Sequence, residues 1–212
     1  PADMFAPDGE VPTGVERDLA MDLMEETPTS TDATLRAITL GERTLLRLLI
    51  EHGRHPTKST AQAAMQLLAE LEDLTFLNPL HRRVLDHVRL LVEGGSAPTV
   101  EQFVRSDDED VQQLTIDLTT HREQLSAGWW DVHRIKTTTE EDPAYLETEI
   151  IRQVNLYKWM RLKQDQEAFR RQHRDACKAG NLEEELLLIR TLMRVKEMEM
   201  ALARPLGNVV SG

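Results

Sequence analysis

The chain has 212 residues, with 37 acidic against 25 basic side chains and a formal net charge of −12. Its 40% hydrophobic and 29% charged content supplies a core and excludes wholesale disorder. Aromatic residues make up only 4%; that poverty, beside abundant Leu, Met, Ala, Glu and Arg, disfavours strands and predicts an all-α fold. The single cysteine, Cys177, excludes an internal disulfide and a Cys-rich zinc site and fits a reducing cytoplasm. The first residues show no basic, apolar leader pattern, and no apolar run approaches the roughly 20 residues of a membrane span. The expectation is a soluble cytoplasmic protein.

Residues 1–34 hold four prolines, two glycines, a Thr-Pro-Thr-Ser-Thr run and nine acidic groups, a composition that cannot repay the entropy of ordering. An acidic Pro/Thr-rich linker is expected over 1–38, with Val15 to Met24 able to form a short amphipathic helix. Order is predicted to begin at Thr39, where Thr39 and Glu42 have capping-box spacing ahead of Leu45, Leu46, Leu48, Leu49 and Ile50. Gly53 and Pro56 end that helix, and a second is expected from about Ser59 to Leu71. Asn78-Pro79 then offers an N-cap with proline at N1, and Leu80, Val84, Leu85, Val88, Leu91 and Val92 follow with helical recurrence up to Gly94-Gly95. Thr99 with Gln102 opens a short helix. Another is predicted from Asp108 to His121 on the spacing of Val111, Leu114, Ile116 and Leu118, with Asp107 to Asp110 at the favourable end of its dipole. These five helices predict a compact bundle over 39–125.

A connector over 126–138 contains Trp129 and Trp130, expected to pin it to the bundle. From Ala144 to Ala179 no Gly or Pro interrupts the chain, which allows one helix of roughly 55 Å at 1.5 Å per residue. Gly180 ends it, and Asn181 with Glu184 caps a partner helix. Leu182, Leu186, Ile189, Met193, Lys196 and Met200 alternate by four and three, the spacing expected of a hairpin seam. The architecture predicted is therefore a compact helical bundle followed by a long terminal helical hairpin over 139–212.

Charge is divided unevenly. Residues 1–142 carry −14, whereas 143–212 carry +2, with Arg152, Lys158, Arg161, Lys163, Arg170, Arg171, Arg174 and Lys178 in one tract. Aromatic interleaving there is limited to Tyr157, Trp159 and Phe169, so a solvated, ion-paired face is the preferred reading over a nucleic-acid tract, and little direct nucleic-acid binding is expected. No phosphate-binding loop, dinucleotide fingerprint, nucleophile elbow or HExxH occurs. His52 and His55 straddle a helix-ending glycine without a third ligand. His81 reads as a packing or surface residue. Asp107 to Asp110 point around a helix axis instead of at one centre. Cys177 sits between Arg174 and Lys178, which favour a lowered pKa, but it lacks a positioned base and reads as inert. No catalytic residue, metal ligand or cofactor is assigned. The last helix is different: Leu186, Leu187, Leu188, Ile189, Leu192, Met193, Val195, Met198, Met200 and Leu202 wrap more than one face, more than a two-helix hairpin can bury. Its methionines suit an adaptable interface.

These segments resemble a known family. GERTLLRLLIEHG, FLNPLHRRVLDHV, LSAGWWDVHRIKTTTEED, VNLYKWMRLKQ and LLLIRTLMRVKEMEMALARPLG are similar, in order and spacing, to the C-terminal helicase-binding region of bacterial replicative primase of the DnaG type. The resemblance spans about 39–210. The same fold is shared by the N-terminal domain of the DnaB-type replicative helicase, which is the alternative, beside an unrelated helical adaptor or scaffold. A preceding acidic linker, and a chain that stops soon after the hairpin instead of entering a RecA-like ATPase, favour primase as the expectation. The resemblance implies a parent enzyme whose zinc-binding domain and Toprim catalytic core lie outside these residues, so no enzymatic activity is expected of this segment. It implies docking on the helicase N-terminal domain; by helical spacing the outward face of the last helix, Leu187, Arg190, Arg194, Met198 and Leu202, together with Leu206, is the expected contact surface.

Overall fold

The computed structural model describes residues 31–120 and 142–203, and among them the fold is all-α with seven helices. They are α1 (Thr31–His52), α2 (Ala63–Glu70), α3 (Pro79–Glu93), α4 (Val100–Val104), α5 (Glu109–Thr120), α6 (Pro143–Ala179) and α7 (Leu182–Ala203). The expected helix within Val15–Met24 and the Trp129–Trp130 connector lie outside the described residues.

Several helix ends follow from local chemistry. Asn78 Oδ1 accepts from the backbone N–H groups of Leu80 and His81 at 2.9 and 3.3 Å, and Pro79 follows at a position where no N–H is needed. Thr99 and Gln102 form the predicted capping box of α4, with the Thr99 N–H donating to Gln102 Oε1 at 2.9 Å. Asp142 caps α6 through the Ala144 N–H. Gly180 closes α6 in the left-handed region at φ 68°, which glycine adopts without steric cost, and Asn181 Oδ1 then accepts from the Glu184 N–H to open α7.

The first helix departs from expectation. It begins at Thr31, eight residues before Thr39, so 31–38 belongs to the folded unit and not to the linker. Thr39 lies mid-helix and its hydroxyl donates to the Leu35 carbonyl four residues back. Glu42, expected to complete a cap, is instead fully buried. Smaller shifts occur in α2, which starts at Ala63 and not near Ser59, and in α5, where Thr115 is buried while Ile116 is exposed.

One core joins Ile38, Leu45, Leu46 and Leu49 of α1 to Leu67 and Leu71, Phe76, Val84, Leu85 and Val88 of α3, and Phe103. Leu146, Ile150, Val154 and Tyr157 of α6 belong to the same cluster. The bundle and hairpin therefore do not part at 125 or 138. The first half of α6 completes the bundle, and its second half pairs with α7 through Gln166, His173 and Ala176. Gly41 permits the close crossing of α1 and α6: a Cβ there would lie 2.6 Å from Met160 Cε and 3.2 Å from Tyr157 Cδ2.

Candidate functional site

The α6–α7 pair presents the surface on which a function can be argued. On α7 the buried residues are Leu188, Leu192, Val195, Glu199 and Ala203, spaced by four, three, four and four, and these form the seam against α6. The seam expected from sequence is out of phase with this: Leu182, Leu186 and Met200 are exposed, and Ile189, Met193 and Lys196 flank the buried row half-buried. With Leu186-Leu187-Leu188-Ile189 apolar on every side, periodicity does not choose the phase. Glu199, a carboxylate in the seam, is held between Lys163 and Lys196, and Lys163 also stands over the Trp159 ring at 5.7 Å.

The turn of phase leaves the expected contact face largely outward. Leu187 is 64% exposed, Met198 is 52% exposed, and Arg190 and Arg194 are exposed between them. Leu202 is half-buried beside the seam, and Leu206 lies outside the described residues. Leu182, at 72% exposure, and Leu186 extend the apolar surface to the hairpin turn, and Met200 extends it toward the other end of α7. These are five large apolar side chains open to solvent on a helix of 22 residues.

Much of the basic tract on α6 is occupied by ion pairs and carbonyls. Lys158 pairs with Glu70 at 3.1 Å, Arg152 with Glu149, Lys178 with Asp175, and Lys163 with Glu199. Arg161 donates to the Thr75 carbonyl at 2.7 Å and to the Tyr157 hydroxyl at 3.2 Å. These contacts fasten α6 to α2, to the α2–α3 loop and to α7. The Asp107–Asp110 run is likewise structural: Asp108 caps α5 through the Asp110 and Val111 N–H groups, and Asp108 and Asp110 both meet Arg83 of α3.

A buried polar cluster joins α6 to α1, to the α2–α3 loop and to α3. Glu42 Oε1 accepts from the Leu77 N–H and, at 3.2 Å, from the Tyr157 hydroxyl. Glu42 Oε2 accepts from the Asn78 N–H at 3.3 Å and meets His81 Nδ1 at 2.8 Å. Burial, with the nearby Glu42 charge, outweighs Arg161 and pushes the Tyr157 phenol up to about 12. His81 is accordingly a core residue with a defined partner and not a surface histidine. Sequence reasoning missed this cluster. Its signal is that Ile38, Glu42, Leu45 and Leu49 share one helical face, so Glu42 stands in a core position where only a paired carboxylate is tolerated.

The Cys177 thiol is shifted in the direction opposite to that favoured by Arg174 and Lys178. Desolvation and the facing Glu185 carboxylate raise its thiol pKa, so Arg174 and Lys178 do not activate it. Among the described residues no helix is long and apolar enough to cross a membrane.

A family model described as a domain of unknown function, DUF8430, matches residues 26–209, and the chain belongs to that family. No curated protein and no solved structure matches it significantly.

Proposed function

We propose that this member of the DUF8430 family is a helicase-interaction domain of a DnaG-type bacterial primase, which brings the primer-synthesising enzyme to a DnaB-type replicative helicase. The observation that carries the reading is the outward face of α7, where Leu187 and Met198 flank Arg190 and Arg194 on a helix already packed along its opposite side. Apolar surface left open on a packed helix marks a docking site for another protein, and methionine with arginine is the chemistry enriched in such interfaces. The helicase is named by the resemblance of five segments, and an all-α chain with a helical bundle and a long terminal helical pair is compatible with it. In this reading the segment does no chemistry. It tethers a catalytic core, and a helicase ring with several equivalent docking sites raises the local primase concentration without tight individual contacts.

Calorimetric titration of the chain into the N-terminal domain of the replicative helicase from the same organism tests this. Saturable binding is expected for the wild type, with at least about a tenfold loss for the double substitution Leu187→Asp, Met198→Asp at unchanged melting temperature. No heat of binding for the wild type, or equal affinity of a folded double variant, contradicts the proposal.

A further inference from the structure

The hairpin carries a second constellation close to its turn. His173 and Cys177 lie one helical turn apart on α6, so their side chains share a face. Beyond the Gly180 turn, Glu185 of α7 comes back toward the same point. One donor atom from each of the three lies within 4.8 Å of the others. We propose that His173, Cys177 and Glu185 bind a divalent transition-metal ion of the zinc class, which clips the two arms of the hairpin together beside the α7 docking face.

Cys177 Sγ is 3.7 Å from each ring nitrogen of His173. Tetrahedral bonds of about 2.3 Å to sulfur and about 2.05 Å to imidazole nitrogen place the two donors about 3.6 Å apart, so this pair already has the separation that zinc imposes. A rotation of the imidazole aims one lone pair at the ion, and the half-buried Glu185 side chain closes the remaining gap.

His173 supplies an independent sign. It is only 4% exposed, although its neighbours Gln172, Arg174 and Asp175 are all exposed, and it occupies a seam position where leucine would pack. Among the described residues its ring meets the Cys177 sulfur, a long contact of a weak donor and acceptor. A buried imidazole beside a thiol and a carboxylate is costly for packing alone and is suited to a metal.

One nitrogen, one sulfur and one oxygen donor fit zinc better than calcium or magnesium, which take oxygen, and three protein ligands leave the fourth position to water. Lys178 pairs with Asp175, and Glu184 pairs with Asn181, so these neighbouring charges are directed elsewhere. Sequence spacing conceals the site because the third ligand arrives only through the hairpin turn.

Cobalt titration of the chelator-stripped chain 1–212 is the test, with zinc as competitor. The expected result is one cobalt per chain, a thiolate-to-cobalt charge-transfer band with intense tetrahedral d–d absorption, and loss of both on adding zinc. Zinc raises the melting temperature of the wild type but not of Cys177→Ser, an exposed change that leaves helical content intact. Cys177→Ser abolishes the charge-transfer band, and His173→Gln and Glu185→Gln each weaken binding by about tenfold or more. Absence of the charge-transfer band in the wild type, unaltered cobalt affinity in Cys177→Ser, or one metal shared between two chains overturns the proposal.

Discussion

Replacing Glu42 tests how the long helix is locked to the bundle. Each carboxylate oxygen serves one backbone N–H and one side chain: Oε1 takes Leu77 and Tyr157, and Oε2 takes Asn78 and His81. In Glu42→Gln the amide nitrogen is best placed at the Oε2 position, where His81 changes tautomer to accept one of its N–H groups, while the Asn78 N–H loses its acceptor and the second amide N–H, facing it, finds none. Each orphaned donor costs about 1–3 kcal/mol. Glu42→Leu removes every acceptor in a site with no solvent access, leaving up to four donors unpaired, and the expected loss is at least about 4 kcal/mol. This is a large share of the roughly 5–15 kcal/mol that holds a domain folded. Adding His81→Leu to Glu42→Leu recovers part of it, since an apolar pair leaves fewer groups unsatisfied. Urea unfolding followed by circular dichroism reads the shift in midpoint at constant slope. A Glu42→Leu loss below about 1 kcal/mol, or equal losses for Gln and Leu, refutes the reasoning.

Three further outcomes follow from the same contacts. Because the folded Tyr157 phenol titrates near 12 and an unfolded one near 10, the unfolded chain releases its proton first; stability present below pH 10 therefore falls as pH rises toward 12, and Tyr157→Phe flattens that limb of the pH–melting curve. Leu192→Asp, in the α7 seam, lowers the melting temperature sharply by burying an unpaired charge, whereas Leu187→Asp, on the exposed face of the same helix, leaves it nearly unchanged; thermal melts of the two variants compare them directly. A fragment of residues 31–120 lacks Leu146, Ile150, Val154 and Tyr157 from its core, a loss of about 6–12 kcal/mol at about 1.5–3 per side chain, so it unfolds without a cooperative transition while 31–179 retains one.

Where the sequence was legible, the chemistry was local. Asn78-Pro79, Thr99 with Gln102, and Asn181 with Glu184 after Gly180 are complete within a few residues, and the uninterrupted stretch behind Pro143 is enough to predict α6. Failures arose where a local pattern imitated a different long-range role. Thr39 and Glu42 have cap spacing, yet Glu42 answers to Tyr157, which lies 115 positions away in the chain. The apolar excess of α7 was visible but not its phase, because only packing against α6 selects Leu188 and Leu192 over Leu186 and Met193 for the seam. The boundary between bundle and hairpin was misplaced for a related reason: the absence of Gly and Pro marks α6 as one long helix without saying that different partners cover its two halves. Of the expected contact face, Leu187, Arg190, Arg194 and Met198 are outward in the structure, since a stripe one step from the seam stays solvent-facing under either phase.

The central claim is that the outer face of α7 docks on the replicative helicase, and site-specific photo-crosslinking tests it most directly. A photoreactive residue is placed at Leu187, at Met198, or at Leu90 of α3, which is an equally exposed apolar position on the bundle. With helicase N-terminal domain present, the account predicts crosslinks from positions 187 and 198 and none from 90. Crosslinking from 90 alone, or from none of the three under conditions where the two proteins are mixed at saturating concentration, contradicts it.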